Sequence, residues 1–365
     1  MKNEWIYEKL DDVCSVDYGT RVVQKKDKGS KYYVYGGGGA TFMVDTYNRE
    51  DCFVVARFAM SPKCTRFVSG KFFLNDSGLS VSTKSTKLLQ SFVNKVLLAN
   101  NDTIYNMGKG MAQKNLDMPS FRNLDIPVPP LQEQERIVAE LDLLTEIIDK
   151  QKQQLKELDT LAQSIFYDMF GSPVENDKNW NINRLGGVLK TTSGGTPSKS
   201  HSEYYEGGTI PWVNSGDLHQ MYIYSVQKFI TQEGVDNSSA KLFPINSVLI
   251  AMYGATVGEV SILKIESTTN QAVCCIFPND AYDSIFLYSV MKNSKHYFVD
   301  KASGGAQSNI SQGVIKDFLL ITPPIELQKS FAKKIQSIES QKQSINRSIA
   351  ESQKLFDYTM DKYFG

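Results

Sequence analysis

Two stretches of the chain carry the same long apolar rhythm. Ile137, Leu141, Leu144, Ile148, Gln151, Leu155, Leu158, Ala162, Ile165 and Met169 follow strict 4-3 spacing, and nine of these ten are apolar. Phe331, Ile335, Ile338, Lys342, Ile345, Ile349, Ser352, Phe356, Thr359 and Tyr363 repeat the spacing with three polar interruptions. Such a seam predicts a helix that pairs with another helix, less purely in the second copy. Each stretch begins after a proline pair, Pro129-Pro130 or Pro323-Pro324, which cannot continue a helix backwards. Each closes at a glycine, Gly171 or Gly365, suited to a left-handed cap. The two helices would each run about 40 residues, roughly 60 Å at 1.5 Å per residue.

The rhythm belongs to a larger internal repeat. Pro129-Pro130-Leu131-Gln132-Glu133-Gln134 is echoed by Pro323-Pro324-Ile325-Glu326-Leu327-Gln328 at an offset of 194. Gly110 to Leu116 and Gly304 to Ile310, and Phe170-Gly171 and Phe364-Gly365, keep that offset. Trp5 and Trp180 are offset by 175, so the second half carries 19 additional residues before the shared tail. Between the helices the texture changes to Gly, Ser, Thr and aromatics with short β-type runs. Val22-Val23, Tyr32 to Tyr35, Phe53 to Ala56, Val248 to Met252 and Ala272 to Phe277 read as strands, and Gly36 to Gly39, Ser193 to Pro197 and Asn214 to Asp217 as loops. The expected fold is of the α/β (α+β) class, with two β-rich globular domains, 1–130 and 172–324, alternating with helices at 131–171 and 325–365.

Composition narrows the function. A chain of 365 residues with 41% hydrophobic and 22% charged residues is neither disordered nor a small staple-dependent scaffold. Forty basic residues balance forty acidic ones, which argues against a uniformly basic nucleic-acid coat or a polybasic membrane binder. The five cysteines form no CxxC pair, so neither a disulfide framework nor a zinc ribbon is expected, and a reducing cytoplasm fits. No secretory h-region and no run of about 18 apolar residues is found, so the expectation is a soluble, cytoplasmic protein without membrane contact. Catalytic constellations are missing too. His201, His219 and His296 lack metal-ligand spacing, and no Asn-Pro-Pro amino-methyltransferase motif or cofactor glycine motif is found. Neither a catalytic residue nor a metal site is expected.

Charge is partitioned towards the globular part. Residues 1–130 hold 18 basic and 13 acidic residues, whereas 131–170 hold 4 and 9. Lys25, Lys26, Lys28 and Lys31 precede the glycine run and suit phosphate contact, the plain alternative being a solvated turn. The second block has 11 basic and 13 acidic residues, so its contacts would lean on hydroxyls, amides and backbone. Ser193, Thr196, Ser198 and Lys199 lie on a small-residue loop without the ending of a nucleotide P-loop. Asn214 and Asp217 are candidates for a groove, while Trp212 reads as core. Arg57, Arg66, Tyr253 and Gln307 sit near strand ends or glycine turns, where base-edge readers or ordinary surface residues both fit.

Taken in order, these motifs resemble a specificity subunit of a type I restriction-modification system over essentially the whole chain. The words that carry the likeness are Pro-Pro-Leu-Gln-Glu-Gln-Glu-Arg (129 to 136), Ser-Gly-Gly-Thr-Pro-Ser-Lys (193 to 199), Ile-Pro-Trp-Val-Asn-Ser-Gly-Asp-Leu (210 to 218) and Met-Tyr-Gly-Ala-Thr-Val-Gly-Glu (252 to 259). Tyr35 to Ala40 and Val55-Ala56-Arg57 are similar to first-block counterparts. Two departures stand out: Arg57-Phe58-Ala59 replaces the Tyr-Gly-Ala seen at 253 to 255, and Lys342 interrupts the distal seam. The resemblance implies two target-recognition domains on an antiparallel helical pair, reading a split double-stranded DNA target without catalysis by this chain. It also implies two modification subunits carrying the methyltransferase chemistry and S-adenosylmethionine, with restriction (motor-nuclease) subunits joining them. Leu143, Ile147 and Leu161, apolar but off the seam, are the expected contacts for these partners. A two-domain structural coiled-coil scaffold is the alternative.

Overall fold

The computed structural model describes residues 5–111, 113–302 and 309–365. Two 40-residue helices, the central Leu131–Phe170 and the distal Ile325–Phe364, start directly after the proline pairs. The chain forms two compact units, one of residues 1–152 with 346–365 and the other of residues 153–345, so each unit takes part of both helices.

In the first unit six strands form a sheet in the order Cys14–Tyr18, Gly78–Thr83, Arg49–Ala56, Thr65–Leu74, Tyr32–Gly36, Gly39–Val44. All neighbours are antiparallel except Tyr32–Gly36 beside Thr65–Leu74. One sheet face packs on the helix Gln90–Ala99 in a core that also takes Ile137 and Leu141 from the central helix and Phe356, Met360 and Tyr363 from the distal one. The start of one long helix thus packs with the end of the other, as an antiparallel pair requires. Val22 and Val23 do not form the strand that a β-branched pair suggests. They lie outside regular structure, because Gln24–Asp27 folds as one helical turn whose Asp27 carboxylate accepts the Val23 N–H at 2.8 Å.

The second unit has a five-stranded sheet in the order Thr191–Ser193, Val273–Ile276, Val248–Ala251, Val260–Leu263, Tyr222–Ile223, and a smaller sheet of Phe229–Ile230, Ile210–Val213 and Thr268–Thr269. Its core joins the helix Ser284–Asn293 to Phe166 and Phe170 of the central helix and Phe331, Ile335 and Ile338 of the distal helix.

The duplication is visible element by element. Helices Gln90–Ala99, Asn101–Asn106 and Met118–Arg122 recur as Ser284–Asn293, Lys295–Asp300 and Gln312–Lys316, each shifted by 194. Leu10–Val13 recurs as Leu185–Val188, shifted by 175, so the extra 19 residues enter after Val188 and before Ser284. Even single bonds repeat: Leu10 N–H donates to Leu124 O at 2.8 Å, and Leu185 N–H to Phe318 O at 2.9 Å.

The clearest repeated contact explains the proline-flanked word. Gln134 and Gln328 are fully buried in the first turns of the long helices. The Gln134 amide donates to Lys87 O and Pro129 O, both at 2.7 Å, and accepts from Leu89 N–H at 2.9 Å. Gln328 does the same with Ala281 O, Pro323 O and Asp283 N–H at 3.3, 2.9 and 3.0 Å. Each glutamine ties a helix start to the domain that precedes it.

None of the twenty seam positions is exposed. The polar interruptions are accommodated locally. Gln151 donates to the Ser348 hydroxyl at 2.7 Å, and the Lys342 ammonium meets Asp159 and Glu339, both at 2.8 Å. Burial alone would lower the Lys342 pKa, but hydrogen bonds to the two carboxylates outweigh it and hold the group above the usual lysine value. Its contribution to stability is therefore present through neutral pH and is lost only as pH rises through that raised value.

Candidate nucleic-acid interface

In the first unit the candidates fall into two groups along one strand. The exposed lysines 25, 26, 28 and 31 lie beside the C-terminal end of the edge strand Gly39–Val44: Gly29 N–H donates to Met43 O at 2.7 Å and Lys31 N–H to Val44 O at 3.2 Å. Lys25 and Lys26 stand on the helical turn rather than in a loop, because Asp27 caps that turn. None of the four is in an ion pair among the described residues, so their charge is available to an anion.

At the other end of that strand the glycine run makes a tight hairpin, with Gly36 and Gly39 inside strands rather than in a free loop. Gly39 has φ +111°, and a Cβ there would stand 2.7 Å from an Arg66 guanidinium nitrogen. Arg66 is tied to this hairpin through one nitrogen, Nη2 donating to Gly37 O at 3.2 Å and Lys63 O at 2.8 Å. Ser77 gathers the neighbouring segments: its hydroxyl accepts from Gly37 N–H at 3.0 Å and its carbonyl from Arg57 N–H at 2.8 Å. The Arg57 guanidinium lies over the rings of Tyr18 and Phe58. Arg57 and Arg66 therefore share one end of the sheet, and the lysines do not join them.

In the second unit, residues 269–272 are the hub. Gly195 N–H donates to Thr269 O at 2.8 Å, and a Cβ on Gly194 would fall 2.1 Å from that same oxygen, so the close approach requires glycine. The Thr196 hydroxyl donates to the Gln271 amide oxygen. Asn270 donates to Asn214 Oδ1 at 3.3 Å, and Met252 N–H to Ala272 O at 2.8 Å, which brings Tyr253 alongside. Asp217 is half-buried, and one of its carboxylate oxygens shapes the turn by accepting the Asn214 N–H at 2.7 Å. Ser193 ends a strand, the Ser198 hydroxyl pairs with that of Ser200 at 2.7 Å, and Lys199 is exposed. Trp212 is buried and donates to Gly195 O at 3.1 Å, which supports the loop from below. Gln307 lies outside the described residues.

Asn270 and Gln271, and the ring pair Tyr18 and Phe58, are the residues that sequence reasoning passed over. Their partners stand far along the chain, 56 residues for Asn270 and 75 for Gln271. The polar Thr269-Asn270-Gln271 step just before the apolar strand Val273–Ile276 is the available signal.

The remaining chemistry-bearing groups are quiet. Burial pushes the Cys14 thiol up to about 11 and those of Cys274 and Cys275 up to about 12, which keeps them from acting as thiolates. Among the described residues no cluster of His, Cys, Asp or Glu is placed to hold a metal ion, and no helix is long and apolar enough to cross a membrane.

Two globular units of repeated plan, each rooted in both long helices and ending in polar loops, match a known class. The family model for the type I restriction modification DNA specificity domain fits residues 2–160 and again 177–352, and the chain belongs to that family. The EcoR124I/EcoR124II specificity subunit of Escherichia coli is 27% identical over 263 residues, which is 70% of this chain and 64% of that protein. The HindI specificity subunit of Haemophilus influenzae is 34% identical over 165 residues, 44% of this chain and 36% of that protein. The alignments thus span less than two thirds of either relative. The fold is similar to that of the S subunit of a type I restriction-modification system from M. genitalium, with TM-score 0.62 and 14% identity, over 99% of this chain and 96% of that one.

Proposed function

We propose that this chain is the DNA-specificity subunit of a type I restriction-modification complex, each unit reading one half of a split double-stranded target. The observation that carries this reading is the duplication itself: one domain plan, fastened the same way to a helix start, occurs twice and ends each time in hydrogen-bonded polar loops. The chain supplies the address and no catalysis. Methyl transfer falls to two modification subunits that hold S-adenosylmethionine, and restriction subunits join for cleavage. Leu143, Ile147 and Leu161 are exposed off the seam as such partners would need. Leu161 is 47% exposed and its repeat equivalent Leu355 is 52% exposed, which suits a partner that binds twice.

The deciding experiment exchanges residues 172–324 for the corresponding block of a relative and maps the methylated sequence of cells carrying the system. One half of the recognised sequence is expected to change while the other half stays. A simultaneous change in both halves, or in neither, sinks modular reading.

The lysine group has its own expected result. Replacing Lys25, Lys26, Lys28 and Lys31 by alanine weakens binding to cognate and random DNA alike, and flattens the dependence of log K on log salt by up to about 0.9 per lost phosphate contact. Salt-titrated binding isotherms on both DNAs check it. A fall in the cognate-to-random ratio at constant slope would instead make the lysines base readers.

A further inference from the structure

We propose that Arg57 reads a guanine in the half-site bound by the first unit, and that Tyr18 and Phe58 are its positioning residues. The proposal rests on the DNA-recognition reading above and assigns it a base and a side chain.

Arg57 is held by its surroundings yet unspent. Its guanidinium carbon lies 4.6 Å from the Tyr18 ring centroid and 4.2 Å from that of Phe58. Its backbone is fixed on both sides, the N–H donating to Ser77 O and the carbonyl accepting from Leu116 N–H, both at 2.8 Å. The turn that follows is held too: Ala59 has φ +49°, and its N–H donates to Asn115 Oδ1 at 3.3 Å. None of the guanidinium N–H groups has an acceptor, and no carboxylate forms an ion pair with it, among the described residues.

Two other arginines of this sheet, Arg49 and Arg66, show the contrast. Arg49 donates to Ser80, Asn48 O and Tyr18 O, and Arg66 to Gly37 O and Lys63 O. Those cations stitch the fold together. A planar cation clamped by two rings, with five donors to spare, is prepared for an acceptor that arrives from outside.

The geometry favours a base edge. Guanine presents two acceptors, O6 and N7, side by side in the major groove, which matches the guanidinium fork; adenine and thymine pair an acceptor with a donor or a methyl group, and cytosine offers a donor. A phosphate would also accept from the Arg57 fork, but the flexible lysines at the far end of the Gly39–Val44 strand already suit that task. The clamp itself is solvent-facing, Tyr18 being 45% and Phe58 38% exposed. Ring orientation around a cation explains why two large aromatics stand at this edge.

The test uses the full chain assembled with its modification subunits, and compares wild type, Arg57→Ala and Phe58→Leu. The readouts are the methylated sequence, discrimination between the cognate site and a site with one G·C pair exchanged, and the salt slope of binding. For Arg57→Ala one guanine in one half-site becomes degenerate, discrimination there falls roughly tenfold or more, and the salt slope stays within about half a unit. Phe58→Leu, which keeps the charge, loses part of the same discrimination. The unaffected half-site is the internal control for folding, since a misfolded chain loses both.

A slope lower by about 0.9 with the methylated sequence unchanged would make Arg57 a phosphate contact and overturn the assignment. So would unchanged values of all three readouts, or a wild-type half-site without guanine. If the wild-type complex shows no sequence preference at all, the broader reading fails with it; if wild type selects its site and the Arg57 variant selects the same one, only this inference is lost.

Discussion

Replacing Phe331 by alanine lowers the stability of the second unit by about 3–5 kcal/mol, the usual cost of emptying a buried phenylalanine site. Phe331 is the distal helix's part of a four-ring cluster. Its ring lies 5.7 Å from Phe166 and 5.3 Å from Phe170, both on the central helix, and Phe170 lies 4.8 Å from Phe286 of the domain helix. Three segments distant in sequence meet at one point, so truncation removes apolar burial and at least two edge-on ring contacts, each worth about 0.5–1.5 kcal/mol beyond its area. Phe331→Leu keeps most of the volume and loses less than about 1.5 kcal/mol. Denaturant unfolding followed by tryptophan fluorescence in a Trp5→Phe background reads the second unit, because Trp180 and Trp212 both lie there and Trp180 packs against this core with its ring 6.5 Å from Phe170. A loss under 1 kcal/mol for Phe331→Ala would mean that the domain is fastened to the helices elsewhere.

The long helices and the duplication were legible because they depend on periodicity and offset, which are properties of sequence alone. A 4-3 rhythm over forty residues has few competing readings, and proline pairs mark the starts sharply. Lys342 shows where that ends. The seam pattern flags it as a fault, but its remedy includes Asp159, 183 residues away, whose position no local pattern reports. The strands around Phe53 and Val248 were legible for a related reason, as continuous apolar runs buried on both sheet faces. Val22 and Val23 have the same composition on a smaller scale and fail, since two residues cannot outweigh a capped turn directly after them.

The candidate interface was legible by residue type more than by arrangement. Glycine runs and small polar loops announced the ends of strands, and Arg57 was recognisable as a strand-end cation. What distinguishes Arg57 from Arg66 is the fate of their donors, and that is settled by contacts with Tyr18, Gly37 and Lys63 that only the folded chain brings together. In the second unit the same holds for Gln271, whose amide oxygen is taken by Thr196. Such loops are built from long-range hydrogen bonds, so their working residues have no local signature.

Gln134→Ala is expected to cost about 2–4 kcal/mol in the first unit, a large effect for a residue at a helix start. The change leaves Pro129 O without its partner in a buried site and Lys87 O and Leu89 N–H without theirs at its part-buried edge; a stranded buried group costs on the order of 1–3 kcal/mol, and water recovers part of the loss at the edge. Gln328→Ala acts the same way on the second unit. The two glutamines belong to separate compact units with separate cores, so their effects add within about 0.5 kcal/mol in the double variant. Gln134→Glu gives a sharper signature. A carboxylate there faces two carbonyl oxygens, and burial raises its pKa above the unfolded value of about 4.3. A group whose pKa is raised by folding stabilises fully below its unfolded pKa and loses that contribution as pH rises through the folded value. The Glu variant is therefore most stable in mild acid and falls behind the natural protein as neutrality is approached. Unfolding midpoints measured from pH 4 to pH 8 decide it: a variant that tracks the natural protein across that range would mean that the Gln134 side chain is hydrated and that the helix start is held by the prolines alone.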